Sequence, residues 1–208
     1  MKLRSYQERA LKEVWQIINR KQVAYLVGEL RTGKTLVALS AAKPFAHNGY
    51  VLFITVKKAI PAIEEIHNKA ELGYPLTVIN YEQIHNVTKK PKFIVYDEAH
   101  CMGAYPKPSK RTKLARKMFA GIPTLFLSGT PAPESDCQLY HQFWVTGQGP
   151  WGRYKNFYQF AGAHVSIGET WIGNGRKVKD YSKAKPSVVA AFEPYKIIMT
   201  QKEAGFKG

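Results

Sequence analysis

Acidic residues are scarce in this chain. Its 208 residues hold 15 Asp and Glu against 31 Lys and Arg, leaving a formal net charge of +16. An excess of that size points to a polyanionic partner, nucleic acid first, although charge alone fits a merely basic surface equally well. Cysteine is scarcer still. Cys101 and Cys137 are the only two, too few for a disulfide framework or a zinc ligand set; they fit reduced thiols in a cytoplasmic compartment. No apolar run reaches the ~20 residues of a membrane helix. The start, Met1-Lys2-Leu3-Arg4, leads straight into a helical pattern without a signal-peptide core. Repeats and low-complexity tracts are missing too. What is present is 45% hydrophobic and 12% aromatic residues, enough for one packed domain, or one domain with an appended subdomain.

Strand-like and helix-like segments alternate over the first two thirds. Gln7 to Ile18 carries Ala10, Leu11, Val14, Trp15 and Ile18 at helical spacing. Val23 to Val27 is a short apolar run, and Thr35 to Ala46 reads as a helix. Tyr50 to Val56 is a strand, Ala59 to Ala70 a helix with Ile60, Ile63 and Ile66 facing in, and Leu76 to Ile79 a strand. A short helix at Tyr81 to His85, a strand at Phe93 to Tyr96, a helix at Lys113 to Phe119 and a strand at Thr124 to Leu127 complete the series. Such alternation predicts an α/β fold: a doubly wound parallel sheet with helices on both faces. The polar motifs all follow strands, at the carboxyl edge where open α/β sheets bind ligands. From Glu134 the pattern changes to Pro, Gly and aromatic residues, placing a boundary near residue 136: a domain over 1–135, and over 136–208 an appended, aromatic-rich and mostly helical segment. Val188 to Thr200 is ambiguous between strand and helix.

Two motifs carry chemistry. Gly28-Glu29-Leu30-Arg31-Thr32-Gly33-Lys34-Thr35 fits the G-x-x-x-x-G-K-[ST] phosphate loop at every required position, between an expected strand and an expected helix. Gly28 and Gly33 let backbone amides converge on phosphate oxygens, Lys34 reaches the β- and γ-phosphates, and the Thr35 hydroxyl holds magnesium. Asp97-Glu98-Ala99-His100 ends an apolar strand. Asp97 suits magnesium coordination, directly or through water, and Glu98 beside it can orient and polarise the attacking water. His100 has no ligand cluster around it, and a hydrogen bond to Ser128 or Thr130 suits it better.

With these, four further segments resemble the first RecA-like lobe of superfamily 2 helicases and translocases, most closely the Swi/Snf remodeller-type branch and its phage relatives. Leu3-Arg4-Ser5-Tyr6-Gln7 resembles the L-R-x-Y-Q element, in which the glutamine reads adenine. Phe53 to Lys58 resembles the motif that touches the nucleic-acid backbone, and Val78-Ile79-Asn80-Tyr81-Glu82 the N-Y-E element. Asp97 to His100 is then a DEAH box. Leu127-Ser128-Gly129-Thr130-Pro131 resembles the motif that couples nucleotide state to movement. The resemblance implies a RecA-like P-loop NTPase lobe with ATP and Mg²⁺ as cofactors. Arg4 and Gln7 join Gly28, Gly33, Lys34 and Thr35 at the nucleotide; Lys34, Asp97 and Glu98 are catalytic; His100, Ser128, Gly129 and Thr130 couple. It implies nucleic-acid contacts at Lys57, Lys58, Asn80 and Tyr81. Val56 replaces the branch's proline, and Glu134-Ser135 its asparagine, which points to a bacterial or phage setting rather than a chromatin role.

A basic run after the box, including Lys110, Arg111 and Lys113, has no acid within it and could lie along a phosphate backbone, although most such runs are solvated faces. Phosphate contacts carry no sequence information, so binding should be sequence-independent, with DNA favoured, and steeply salt-dependent. Trp151, Arg153, Tyr154 and Lys155 could stack unpaired bases, but a small aromatic core is the favoured reading. No second-lobe motif with arginine fingers is found, and Thr200 to Ala204 resembles the lead-in to a second lobe. The expectation is one lobe of an ATP-dependent motor that needs a second RecA-like lobe in cis or trans, with no membrane partner. Losing an arginine finger costs ~10³–10⁵ in rate, so the chain alone should turn over below about 1 s⁻¹. The rivals are a nonenzymatic, ATP-gated nucleic-acid-binding module of a larger assembly and, less compatible with the coupling motif, a P-loop kinase.

Overall fold

The computed structural model describes residues 1–172 and 175–205. Its first helix, α1 (Ser5–Lys21), buries Ala10, Leu11, Val14 and Ile18 along one stripe and stops where Gln22 turns left-handed. Five strands follow in sequence: β1 (Val23–Gly28), β2 (Val51–Thr55), β3 (Leu76–Asn80), β4 (Phe93–Asp97) and β5 (Thr124–Ser128). Between them run α2 (Lys34–Ala42), α3 (Ile60–Lys69) and α4 (Lys110–Phe119), with short 3-10 turns elsewhere, including Tyr81–Asn86. The remainder holds α5 (Gln138–Trp144), α6 (Phe157–His164), a hairpin of β6 (Gly168–Ile172) and β7 (Arg176–Asp180), α7 (Pro186–Phe192) and β8 (Lys196–Met199).

Six strands form one parallel sheet in the order β3-β2-β4-β5-β1-β8. Its strands are apolar at nearly every position because both faces are covered. Alternate residues serve opposite cores: Ala24, Leu26, Phe53, Val95 and Leu127 pack under α1, α2 and α3, whereas Tyr25, Ile54, Tyr96 and Phe126 share a core with Phe143, Phe160 and Phe192 of the later helices and with Trp151 of the turn between α5 and α6. The expected doubly wound α/β sheet is therefore present, with an aromatic C-terminal region that carries α5, α6 and α7.

Three details differ from expectation. Only Ile63 of α3 is buried; Ile60 and Ile66 are half-buried, because they lie at the rim of the narrow stripe facing the sheet. Val188 to Thr200 is neither strand nor helix alone but both, α7 followed by β8. The β6–β7 hairpin has no counterpart in the sequence reading. The register matters most for chemistry. Val27 lies opposite Ser128, Leu127 opposite Asp97, and Tyr96 opposite Ile54, so Gly28, Ser128, Asp97 and Thr55 end along one edge.

Candidate nucleotide site at the carboxyl edge of the sheet

The phosphate loop is built by β1, by the turn Glu29–Gly33 and by α2. Arg31 and Gly33 both adopt left-handed backbone, with φ of 63° and 74°. At Gly33 the glycine is required twice over: its φ disfavours a side chain, and a Cβ would collide with the Gln7 amide. Thr32 Oγ1 donates to Glu29 O at 2.8 Å and closes the turn. No side chain caps α2, so its first amides stay open towards the loop, the arrangement that receives phosphate oxygens.

The N-terminal segment reaches this loop through side chains. Tyr6 OH and Gln7 Nε2 both donate to Thr32 O at 3.1 Å, and Gln7 Oε1 accepts from the Arg4 backbone N–H at 2.9 Å. A cleft of ≈ 590 Å³ opens there, lined by Arg4, Gln7, Arg31, Lys34 and Thr35. A second, of ≈ 480 Å³, is lined by Lys34, Glu98, Gly129 and Thr130. Lys34 borders both, as a residue between base-side and terminal-phosphate ends of one ligand would.

Asp97 ends β4 and is buried. Thr55 Oγ1 donates to its Oδ2 at 2.8 Å, while Oδ1 is buried with no hydrogen-bond partner. Burial pushes the Asp97 carboxyl above its usual range; the neighbouring Glu98 charge adds to this, and the Thr55 bond and Lys34 oppose it. A buried, bare carboxylate oxygen is an unfavourable feature that a cation would relieve, so the residues present fit magnesium. Among the described residues no group of three or more His, Cys, Asp or Glu side chains could hold a metal. An ion at Asp97 would thus complete its shell with the Thr35 hydroxyl, phosphate and water oxygens, the usual company of magnesium.

Beyond Asp97 the chain turns sharply: Glu98 is left-handed at φ 52°, a conformation that costs a non-glycine residue ~1–2 kcal/mol and is found at functional sites. The turn brings His100 Nδ1 to 3.5 Å from Glu98 Oε2 and 3.4 Å from Ser128 Oγ. Ser128 Oγ in turn accepts from the Thr130 backbone N–H at 3.1 Å. Glu98, His100, Ser128 and Thr130 therefore form one polar chain across β4 and β5, with Gly129 within it.

The residues expected to touch nucleic acid divide. Lys57 and Lys58 are exposed on the turn after β2, at the same sheet edge, and Lys110, Arg111 and Lys113 are exposed on α4. Arg111 also meets Glu82 at 3.4 Å. Asn80 and Tyr81 point inward. Asn80 Oδ1 accepts from the Glu82 and Gln83 amides and caps the following turn; Tyr81 is buried and its OH donates to Asp97 O at 2.6 Å. Tyr81 thus buttresses the Asp97 turn, while the Asn80 side chain is spent on the turn that follows β3. Trp151, Phe157 and Phe160 are buried, in line with the core reading of the aromatic segment. Tyr6, Glu29 and Gln201, which stand within the sequence motifs but had no role assigned there, also belong to this site. Gln201 donates through its backbone to Glu29 and through Nε2 to Leu30 O at 3.2 Å, a contact with no local signature, since it spans 171 residues.

Comparison with known proteins concerns the same regions. The family model of the type III restriction enzyme res subunit matches residues 1–62, which include the phosphate loop. No curated protein matches the chain at significance. The SWI2/SNF2 ATPase core of Sulfolobus solfataricus, solved in complex with dsDNA, superposes with a TM-score of 0.70 at 17% identity over 99% of this chain and 46% of that one. The fold is RecA-like. The ATP-dependent Type ISP restriction-modification enzyme LlaBIII, bound to DNA, is a more distant match: TM-score 0.49, 13% identity, 95% of this chain and 15% of that one. The chain thus spans less than half the length of either structure.

Proposed function

We propose that this chain is the ATP-binding lobe of an ATP-dependent nucleic-acid helicase or translocase of superfamily 2, in the Swi/Snf-like branch, active when a second RecA-like lobe closes on it. The observation that carries the reading is the convergence, at one sheet edge, of the phosphate loop, the bare Oδ1 of Asp97 and the Glu98–His100–Ser128 chain. Magnesium held by Asp97 and Thr35 would offset charge on the β- and γ-phosphates. Lys34 grips those phosphates from the loop. Glu98, turned out of the strand, orients the water for attack. Gln7 and Arg4 face the base-side cleft and select adenine. His100, Ser128, Gly129 and Thr130 pass the state of Glu98 to the loop after β5. The second lobe supplies the charge that this edge lacks, worth ~10³–10⁵ in rate. DNA is the favoured track, supported by the +16 charge and by the dsDNA on which the archaeal neighbour was solved.

The test is ATP hydrolysis with and without DNA, for the chain alone and joined to or mixed with a second lobe. Expected is slow basal turnover, stimulated by DNA once the second lobe is present, and abolished by Lys34→Ala or Glu98→Gln. DNA binding that persists without any stimulated hydrolysis would instead mark an ATP-gated binding module.

A further inference from the structure

The β6–β7 hairpin is held at its base and bare towards its tip. At the base, Ser135 Oγ donates to Ser182 O at 2.6 Å, Ser182 N donates to Asp180 Oδ1 at 2.9 Å, and the Tyr181 ring packs 5.6 Å from Phe157. Among the described residues, positions 169–172 and 176–179 of the two strands are all exposed. Pairing sets Trp171 opposite Lys177 and Glu169 opposite Lys179, so these four share one face, while Thr170, Ile172, Arg176 and Val178 share the other. Trp171 is 66% exposed. A two-stranded hairpin is marginal in water without a covered face, and exposed Trp171, Ile172 and Val178 together on so small an element mark it as a contact surface.

The charges say which kind. Lys177 Nζ lies 4.9 Å above the Trp171 ring and 3.0 Å from Glu169. Asp180 is engaged with Ser182. Among the described residues Arg176 and Lys179 make no ion pair; Lys179 stands on the Trp171 face and Arg176 on the opposite one, so the open ring has one paired and one unpaired lysine beside it. Protein-docking surfaces are depleted in lysine. An aromatic platform flanked by cations is instead the composition that binds unpaired nucleotides: the ring stacks on a base, and the cations hold phosphates on either side.

We propose that the Trp171–Lys177–Lys179 face of the hairpin binds a single-stranded segment of nucleic acid, by stacking on Trp171 and phosphate contact with Lys177 and Lys179. The inference rests on the nucleic-acid reading above and adds a site that none of the motif residues supplies.

The test is the anisotropy of a labelled oligothymidylate, and of a blunt duplex, titrated with the 208-residue chain at several salt concentrations. Trp171→Ala should weaken oligothymidylate binding about five- to a hundred-fold, change duplex binding less, and leave the thermal midpoint unaltered because the side chain is exposed. Trp171→Phe should retain most of the affinity. Lys177→Ala with Lys179→Ala should lower the log–log salt slope for the single strand by about 1.4. Equal oligothymidylate binding by the parent chain and Trp171→Ala overturns the inference and leaves the nucleic-acid reading intact. A parent chain that binds neither oligonucleotide overturns both. Concentration-dependent self-association that is lost in Ile172→Ser with Val178→Ser, with oligothymidylate binding indifferent to Trp171, assigns the hairpin to a protein partner and also overturns it.

Discussion

Asp97 keeps one carboxylate oxygen bonded to Thr55 and the other bare inside the protein. Because its pKa is raised by burial, its contribution to stability is fullest below the ordinary carboxylate range and is lost as pH rises through the raised value. At neutral pH the ionised group therefore destabilises the unliganded chain. Asp97→Asn should raise the unliganded melting temperature and should abolish the further rise expected from magnesium and ATP in the parent; parallel thermal melts check both. His141 behaves in the opposite sense. It is buried, its Nδ1 donates to Ala104 O at 2.7 Å, and burial lowers its pKa from 6.5 to about 4. The unfolded state binds the extra proton, so this contribution is intact above about pH 6.5 and is lost as pH falls towards 4, on the order of 3 kcal/mol in all. His141→Gln should flatten the acid limb of a plot of stability against pH between those values.

The elements divide into those recognisable one at a time and those that are not. β1, β2, β4 and β5 are short apolar runs closed by Gly28, Thr55, Asp97 and Ser128, and their burial on both faces makes the pattern continuous. β8 is only four residues long, with Ile198 exposed at the sheet's edge; its pairing with β1, not its composition, makes it a strand. Asn80 and Tyr81 were legible as a motif but not as inward-facing groups, because their direction depends on how β3 ends beside β2 and on where Asp97 O lies. α5 is tied to the sheet by Phe143, whose ring lies 5.6 Å from Phe126 and 6.3 Å from Tyr25. Phe143→Ala should cost about 3–5 kcal/mol in chemical denaturation. The same seam predicts that residues 1–135 alone would expose Tyr25, Tyr96 and Phe126 and fail to give a soluble, cooperatively unfolding protein, the measurement that tests the proposed division near residue 136.

For the whole molecule, +16 of charge makes association with a polyanion long-ranged and salt-sensitive. Lys57 and Lys58 stand exposed at the carboxyl edge of the sheet, beside the candidate nucleotide site. If each neutralises one phosphate, Lys57→Ala with Lys58→Ala should lower the log–log salt slope for duplex DNA by about 1.8, without changing sequence preference. Binding curves at three salt concentrations measure this directly. Among the described residues no helix is long and apolar enough to cross a membrane.

The order of elements as far as β5 and the chemistry of the loops are legible in local stretches of the chain. A phosphate loop, a strand-terminal acid pair and a strand-terminal Ser-Gly-Thr-Pro are local strings, and each sets its own backbone and donors within a few residues. Which of these groups meet is set by the fold. The approach of Glu98 and His100 to Ser128, the tie from Gln201 to Glu29, the inward turn of Asn80 and Tyr81, and the bare hairpin carrying Trp171 all depend on strand order and register. Contacts between residues far apart in the chain are selected by the burial of two whole sheet faces, and that selection leaves no signature in the segments it joins.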